Sequence, residues 1–202
     1  YQHKFYKDAQ REVNKDRNKA IVFGDAHDNG KTYQFAKMLE RQHIKFHKLS
    51  SNVNAGGKRF SAENSYIIPS DQPNYRMIKS MFETRTSFQD SLFYDVSAWT
   101  LPMAFDLNYG YTNNLSSAGE VVTSLDFPEG KLSKKSDYAY IFEWDEYYTP
   151  KALYSILQHN LRAKVALKPF GIDGKNYDYG SILIPVANQD KTSAEIYALL
   201  QQ

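Results

Sequence analysis

Asp25, His27 and Asp28 form the densest group of side chains in this sequence that can ligate or move a proton. Glu143, Asp145 and Glu146 form a second acidic group in the C-terminal half. Both follow a short apolar run, the position where open α/β sheets bind ligands. Oxygen-rich clusters of this kind suit Mg²⁺ or Ca²⁺ and small polar ligands. The competing explanation is local: acidic residues at helix starts cap free N–H groups and complement the helix dipole. Capping is the reading these residues favour, with a ligand site as its alternative.

Other chemistries lack their residues. Gly30-Lys31-Thr32 suggests a phosphate loop, but the nearest upstream glycine, Gly24, leaves one residue too many for Gly-x-x-x-x-Gly-Lys. Asn29-Gly30 is better read as a turn that starts a helix. His43 and His47 lie four apart in a stretch that reads as a strand, about 13 Å along one face and too far for one zinc. No Gly-x-Ser-x-Gly elbow surrounds any serine. With no cysteine there is no thiolate nucleophile, thiolate zinc site or disulfide. Asp90, Asp95 and Asp106 have no spacing that selects a carboxylate pair.

The elements that position these residues are written twice. Ala20-Ile21-Val22-Phe23 is followed by a helical stretch, an alternating stretch, a Gly57-Lys58 turn and Ser65-Tyr66-Ile67-Ile68-Pro69. Ala139-Tyr140-Ile141-Phe142 begins the same series, ending in Gly174-Lys175 and Ser181-Ile182-Leu183-Ile184-Pro185. The matched landmarks stand roughly 116–119 residues apart, which suits a duplicated half-domain and not a solenoid. Strands alternating with helices predict an α/β fold with a doubly wound, mainly parallel sheet. In each copy the third strand follows a loop, which allows an antiparallel pairing at an edge. Residues 1–18 read as a lead-in helix or tether. A single α/β domain is expected over 19–202, with copies at about 19–83 and 138–202 and a connecting segment at 84–137. Thr149 with Pro150 reads as an N-cap and first helical position. If the first strands of the copies lie side by side, both acidic loops face one crevice.

The connecting segment has no counterpart in the repeat. Phe93, Tyr94, Asp95 and Trp99 can line a groove or dock against another domain, and burial where the copies join explains them equally well. Val121 to Leu125 reads as a hairpin strand between loops. Sixteen tyrosines and twelve phenylalanines make the chain aromatic-rich, which fits a tyrosine-rich core edge better than a sugar- or peptide-contact surface. A formal net charge of +2 makes no case for nucleic acid, and no apolar run approaches a membrane span. Tyr1 in first position and the polar stretch after it read as the start of an excised piece, with any targeting signal outside it.

The run from Asp90 through Trp99 to Phe105 resembles a segment of large exported zinc carboxypeptidases of Bacteroidetes-type bacteria. Ser65-Tyr66-Ile67-Ile68-Pro69 with Gln72-Pro73, and Tyr140-Ile141-Phe142-Glu143-Trp144, carry the same resemblance. It implies the region that follows the carboxypeptidase A-like catalytic domain, with a class I glutamine-amidotransferase-like, flavodoxin-like fold. It further implies a periplasmic or extracellular parent hydrolysing peptides at their C-termini. The family's His-x-x-Glu zinc pair has no matching positions here, so zinc is expected only in the parent's catalytic domain and no cofactor in this chain. The amidotransferase-like cysteine is missing as well. The resemblance therefore implies a non-catalytic companion whose partners are that catalytic domain and a peptide substrate. The alternative is a small-ligand or divalent-cation-binding domain that uses the acidic loops.

Overall fold

Ala20–Gly24 forms strand β1 with all five residues buried, because a continuous apolar run belongs to a strand covered on both faces. The computed structural model describes residues 1–84, 100–132 and 134–202. Phe93, Tyr94, Asp95 and Trp99 lie outside the described residues. The chain divides into unit 1, Tyr1–Phe127, and unit 2, Pro128–Gln202.

In unit 1, α1 (Gln2–Lys15) precedes β1, which leads into α2 (Asn29–Arg41) and β2 (His47–Leu49). A hairpin of β3 (Val53–Ala55) and β4 (Lys58–Phe60) follows, then β5 (Ser65–Pro69) and α3 (Tyr75–Phe82). After these come α4 (Leu101–Ala104), β6 (Tyr109–Thr112) and β7 (Ala118–Val121). The main sheet has the order β6-β1-β5-β2-β7, and every pairing in it is antiparallel.

This overturns the doubly wound parallel sheet. β1 and β2 run parallel to each other across α2, but β5 lies between them and antiparallel to both, which makes a split β-α-β arrangement. The third strand arrives through a hairpin, not a crossover helix. It therefore returns in the opposite direction, and it takes the central place instead of an edge. β1 has β5 and β6 as its two neighbours in this sheet.

The two faces of the sheet are covered differently. On one, Phe23 meets Phe35 of α2 with ring centroids 5.2 Å apart, and Phe35 meets Phe82 of α3 at 5.6 Å, both edge to face. On the other, Val22 and Ile67 pack with Ala55 and Phe60, so the β3-β4 hairpin acts as a lid. Its turn, Gly56-Gly57, has positive φ at both residues (56° and 76°), the signature of a tight two-residue hairpin. Ala9 and Val13 of α1 cluster with Tyr75 of α3, and Glu12 pairs with Arg76 across the same contact.

Unit 2 repeats the series in shorter form. It comprises β8 (Ala139–Phe142), α5 (Thr149–Gln158), β9 (Lys164–Val165), β10 (Phe170–Ile172), β11 (Lys175–Tyr177), β12 (Ile182–Pro185) and α6 (Ser193–Leu200). Its sheet order is β8-β12-β9, again wholly antiparallel. Ala139 faces Pro185 as Ala20 faces Pro69. Asp173-Gly174, with φ of 51° and 78°, turns its hairpin as Gly56-Gly57 does in unit 1. Gln72 binds the backbone N–H and C=O of Lys45 and the C=O of Pro69. Gln189 binds those of Arg162 and Pro185 in the same way.

Several local expectations shift. Thr149 is the first residue of α5 and not its cap; its hydroxyl donates to Glu143 O at 3.2 Å. His43 is not in a strand but in the turn that ends α2, at φ 54°. The strand expected at Val121 to Leu125 begins earlier, as β7, and residues 109–112 form β6, which the alternation of side chains did not announce.

Candidate functional site

The loop between β1 and α2 is built from its own polar side chains. Gly24 ends the strand because a Cβ there would stand 2.4 Å from Asn64 O and 2.7 Å from Ser65 Cα. The Asp25 N–H then donates to Thr32 Oγ1 at 2.9 Å. The Asp25 carboxylate accepts the N–H of His27 at 2.8 Å and that of Asp28 at 3.2 Å. Asp28, buried, caps α2 by accepting the Lys31 N–H at 2.9 Å. His27 is exposed on the outside of this turn.

Lys31 closes the arrangement from inside. Only 8% of it is exposed, and a lysine so enclosed requires partners. Its Nζ donates to Asp106 O at 3.1 Å, lies 3.4 Å from Asp106 Oδ2 and 3.6 Å from Asp25 Oδ2. The Asp106 carboxylate itself is fully exposed, so the enclosed ion pair is Asp25 with Lys31. Beside them opens a cavity of about 260 Å³ walled by Asp25, Lys58, Asp106, Asn108 and Tyr109 together with the apolar Met103 and Leu107. Lys58 Nζ donates to Asn108 Oδ1 at 2.9 Å along that wall.

In unit 2 the acidic residues are arranged differently. Glu143 Oε2 lies 2.8 Å from Lys175 Nζ, and this bond raises the lysine above its ordinary pKa. Lys175 holds the hairpin position that Lys58 holds in unit 1, each opening the second hairpin strand. Asp145 and Glu146 sit in the turn into α5, where the Thr149 N–H donates to Glu146 O at 3.1 Å. By position in the repeat, Trp144 stands where unit 1 has Asp25, and Lys151 is the third residue of α5 as Lys31 is of α2.

Sequence reasoning found Asp25 and Asp28 but saw Lys31 only as part of a failed phosphate loop, and missed Lys58 and Asn108. A signal for Lys31 existed. It is the third residue of α2, where a cation opposes the helix dipole and calls for a carboxylate nearby. Among the described residues, no three His, Cys, Asp or Glu side chains are grouped to hold a metal ion. The His47 ring bonds Gly119 O through Nδ1 at 2.9 Å, a sheet contact. Among the described residues no helix is long and apolar enough to cross a membrane. Compared with known proteins, the chain matches no family model, no curated protein and no solved structure.

Proposed function

We propose that this chain is a non-catalytic interaction module. Following the resemblance, its companion is the catalytic domain of a secreted zinc metallocarboxypeptidase, periplasmic or extracellular, that trims peptides at their C-termini. The observation that carries the first part is the use already made of Asp25. Its carboxylate holds two backbone N–H groups and faces the Lys31 ammonium. A carboxylate so employed positions a loop; a general base or nucleophile needs a free oxygen beside a substrate.

The test is hydrolysis of peptides bearing free C-termini by the purified chain, with and without added zinc. No turnover is expected. Turnover abolished by Asp25→Ala or His27→Ala would overturn the reading.

The cavity beside Asp25 and Lys31 favours a second reading, a small-ligand site. Lys58 lines the cavity and its ammonium opposes a divalent cation there, so a short peptide or other small ligand is the better occupant. Calorimetric titration with Ca²⁺, Mg²⁺ and a dipeptide separates these; flat traces for all three remove the second reading.

A further inference from the structure

In unit 1 the outer edge of β2 is closed by the chain itself. The Val122 N–H donates to Phe46 O at 2.9 Å, the Ser50 N–H donates to Ser117 O at 2.9 Å, and His47 faces Val121. The corresponding strand of unit 2 is β9. Ala166 uses both backbone groups on the β12 side, donating to Ser181 O at 2.9 Å and accepting from the Gly180 N–H at 2.8 Å. By antiparallel alternation, the backbone groups of Val165 then point away from β12. Among the described residues β9 pairs with β12 alone. Val165 is 54% exposed and Leu167 85%. A bare edge carrying exposed aliphatic side chains is a template for one more strand.

Charge selects the strand. Arg162, Lys164 and Lys168 are all exposed along this edge, and among the described residues none of them enters an ion pair. Two copies meeting edge to edge would set cations against cations, so self-pairing is disfavoured. The strand that fills the equivalent edge in unit 1 is Ala118-Gly119-Glu120-Val121, aliphatic with one carboxylate. We propose that the β9 edge of unit 2 receives an extended acidic and aliphatic segment of a partner protein as an added antiparallel strand. Main-chain bonds centred on Val165 supply the pairing, and the three cations select the partner. The proposal rests on the interaction-module reading and gives that module a surface and a partner chemistry.

The test uses the full chain and a synthetic peptide of residues 116–125, followed by hydrogen exchange and by titration. The amides of Val165 and its neighbours on β9 are expected to gain protection with the peptide. Methylating the peptide nitrogen at the position of Val122, which donates to the edge in unit 1, is expected to weaken binding at least tenfold. The double variant Lys164→Glu, Lys168→Glu is expected to weaken it about threefold to tenfold. Three results would overturn the proposal: no protection on β9, protection confined to β2, or binding indifferent to nitrogen methylation. Protection of the same amides by single-stranded DNA or anionic vesicles at lower concentration would also overturn it, reassigning the edge to polyanions. Cleavage of the peptide would defeat the interaction-module reading instead. An intact peptide that leaves β9 unprotected defeats only this proposal.

Discussion

Asp28 and Tyr75 each do one physical job that a single substitution isolates. Asp28 ends the β1–α2 loop by accepting the Lys31 N–H, and it is buried while doing so. Asp28→Ala is expected to cost about 1 kcal/mol, and Asp28→Ser to restore most of it, in urea unfolding at pH 7. An unchanged midpoint for the alanine variant would remove the capping assignment. Tyr75 is buried between α1 and α3, and its hydroxyl donates to Asp16 Oδ2 at 2.8 Å. Burial, and then this bond, raise its pKa well above the ordinary tyrosine value. The unfolded chain releases that proton near pH 10, before the folded chain does. The contribution is therefore whole below pH about 10 and is lost as pH rises beyond it. Tyr75→Phe is expected to be less stable at pH 7 by about 1–3 kcal/mol, with a shallower decline between pH 10 and 11. Tyr111, pushed up to about 12 by burial, retains part of the alkaline slope in that variant.

At the scale of elements, each unit binds its sheet to the loop after its Ile-Pro strand, β5 or β12, through one glutamine. Gln72 makes three bonds to main-chain groups, two on Lys45 and one on Pro69, and Gln189 makes the matching three. Gln72→Ala leaves the exposed Lys45 N–H to water, at an expected cost of about 0.5–1.5 kcal/mol. Hydrogen exchange at Lys45 should quicken in that variant while Arg162 stays as it was, and Gln189→Ala should do the reverse. Equal acceleration at both sites in either variant would refute the local reading. These glutamines also mark how far the sequence could be read. Strand, helix, Gly-Lys turn and Ile-Pro strand were legible in order because apolar runs and glycine turns signal locally, while the hairpin strands on either side of the turn were not. The pairing of strands was not legible either, because a strand carries no local mark of which neighbour it takes, and alternation with helices suggested crossovers. The loop after β1 was legible as a cap at Asp28. Its Lys31 partner Asp106 comes from 75 positions away, beyond any local pattern.

Across the whole chain, the two copies differ most in what surrounds the shared three strands. In unit 1 the stretch after α3 returns twice, as β6 on the β1 side and β7 on the β2 side, so both edges of the repeated core are closed. In unit 2 the described strands stop at β8 and β9. Its buried cluster, centred on Tyr140, Ile156, Leu161, Ile184 and Ile196, is also smaller than the one under α2 and α3 on the first sheet. A shorter unit buries a smaller share of its surface, and open edges leave backbone bonds nearer to water. The central strands then report the difference directly, since β5 and β12 hold the same place in their sheets. The amides of Leu183 and Ile184 are expected to exchange faster than those of Ile67 and Ile68 under conditions where the whole chain is folded. The gap should narrow when the peptide of residues 116–125 is present, because closing the β9 edge stabilises the unit that lacks such a strand. Equal exchange at the two central strands without peptide would show that edge closure does not set their stability, and that the insert between α3 and unit 2 serves another end.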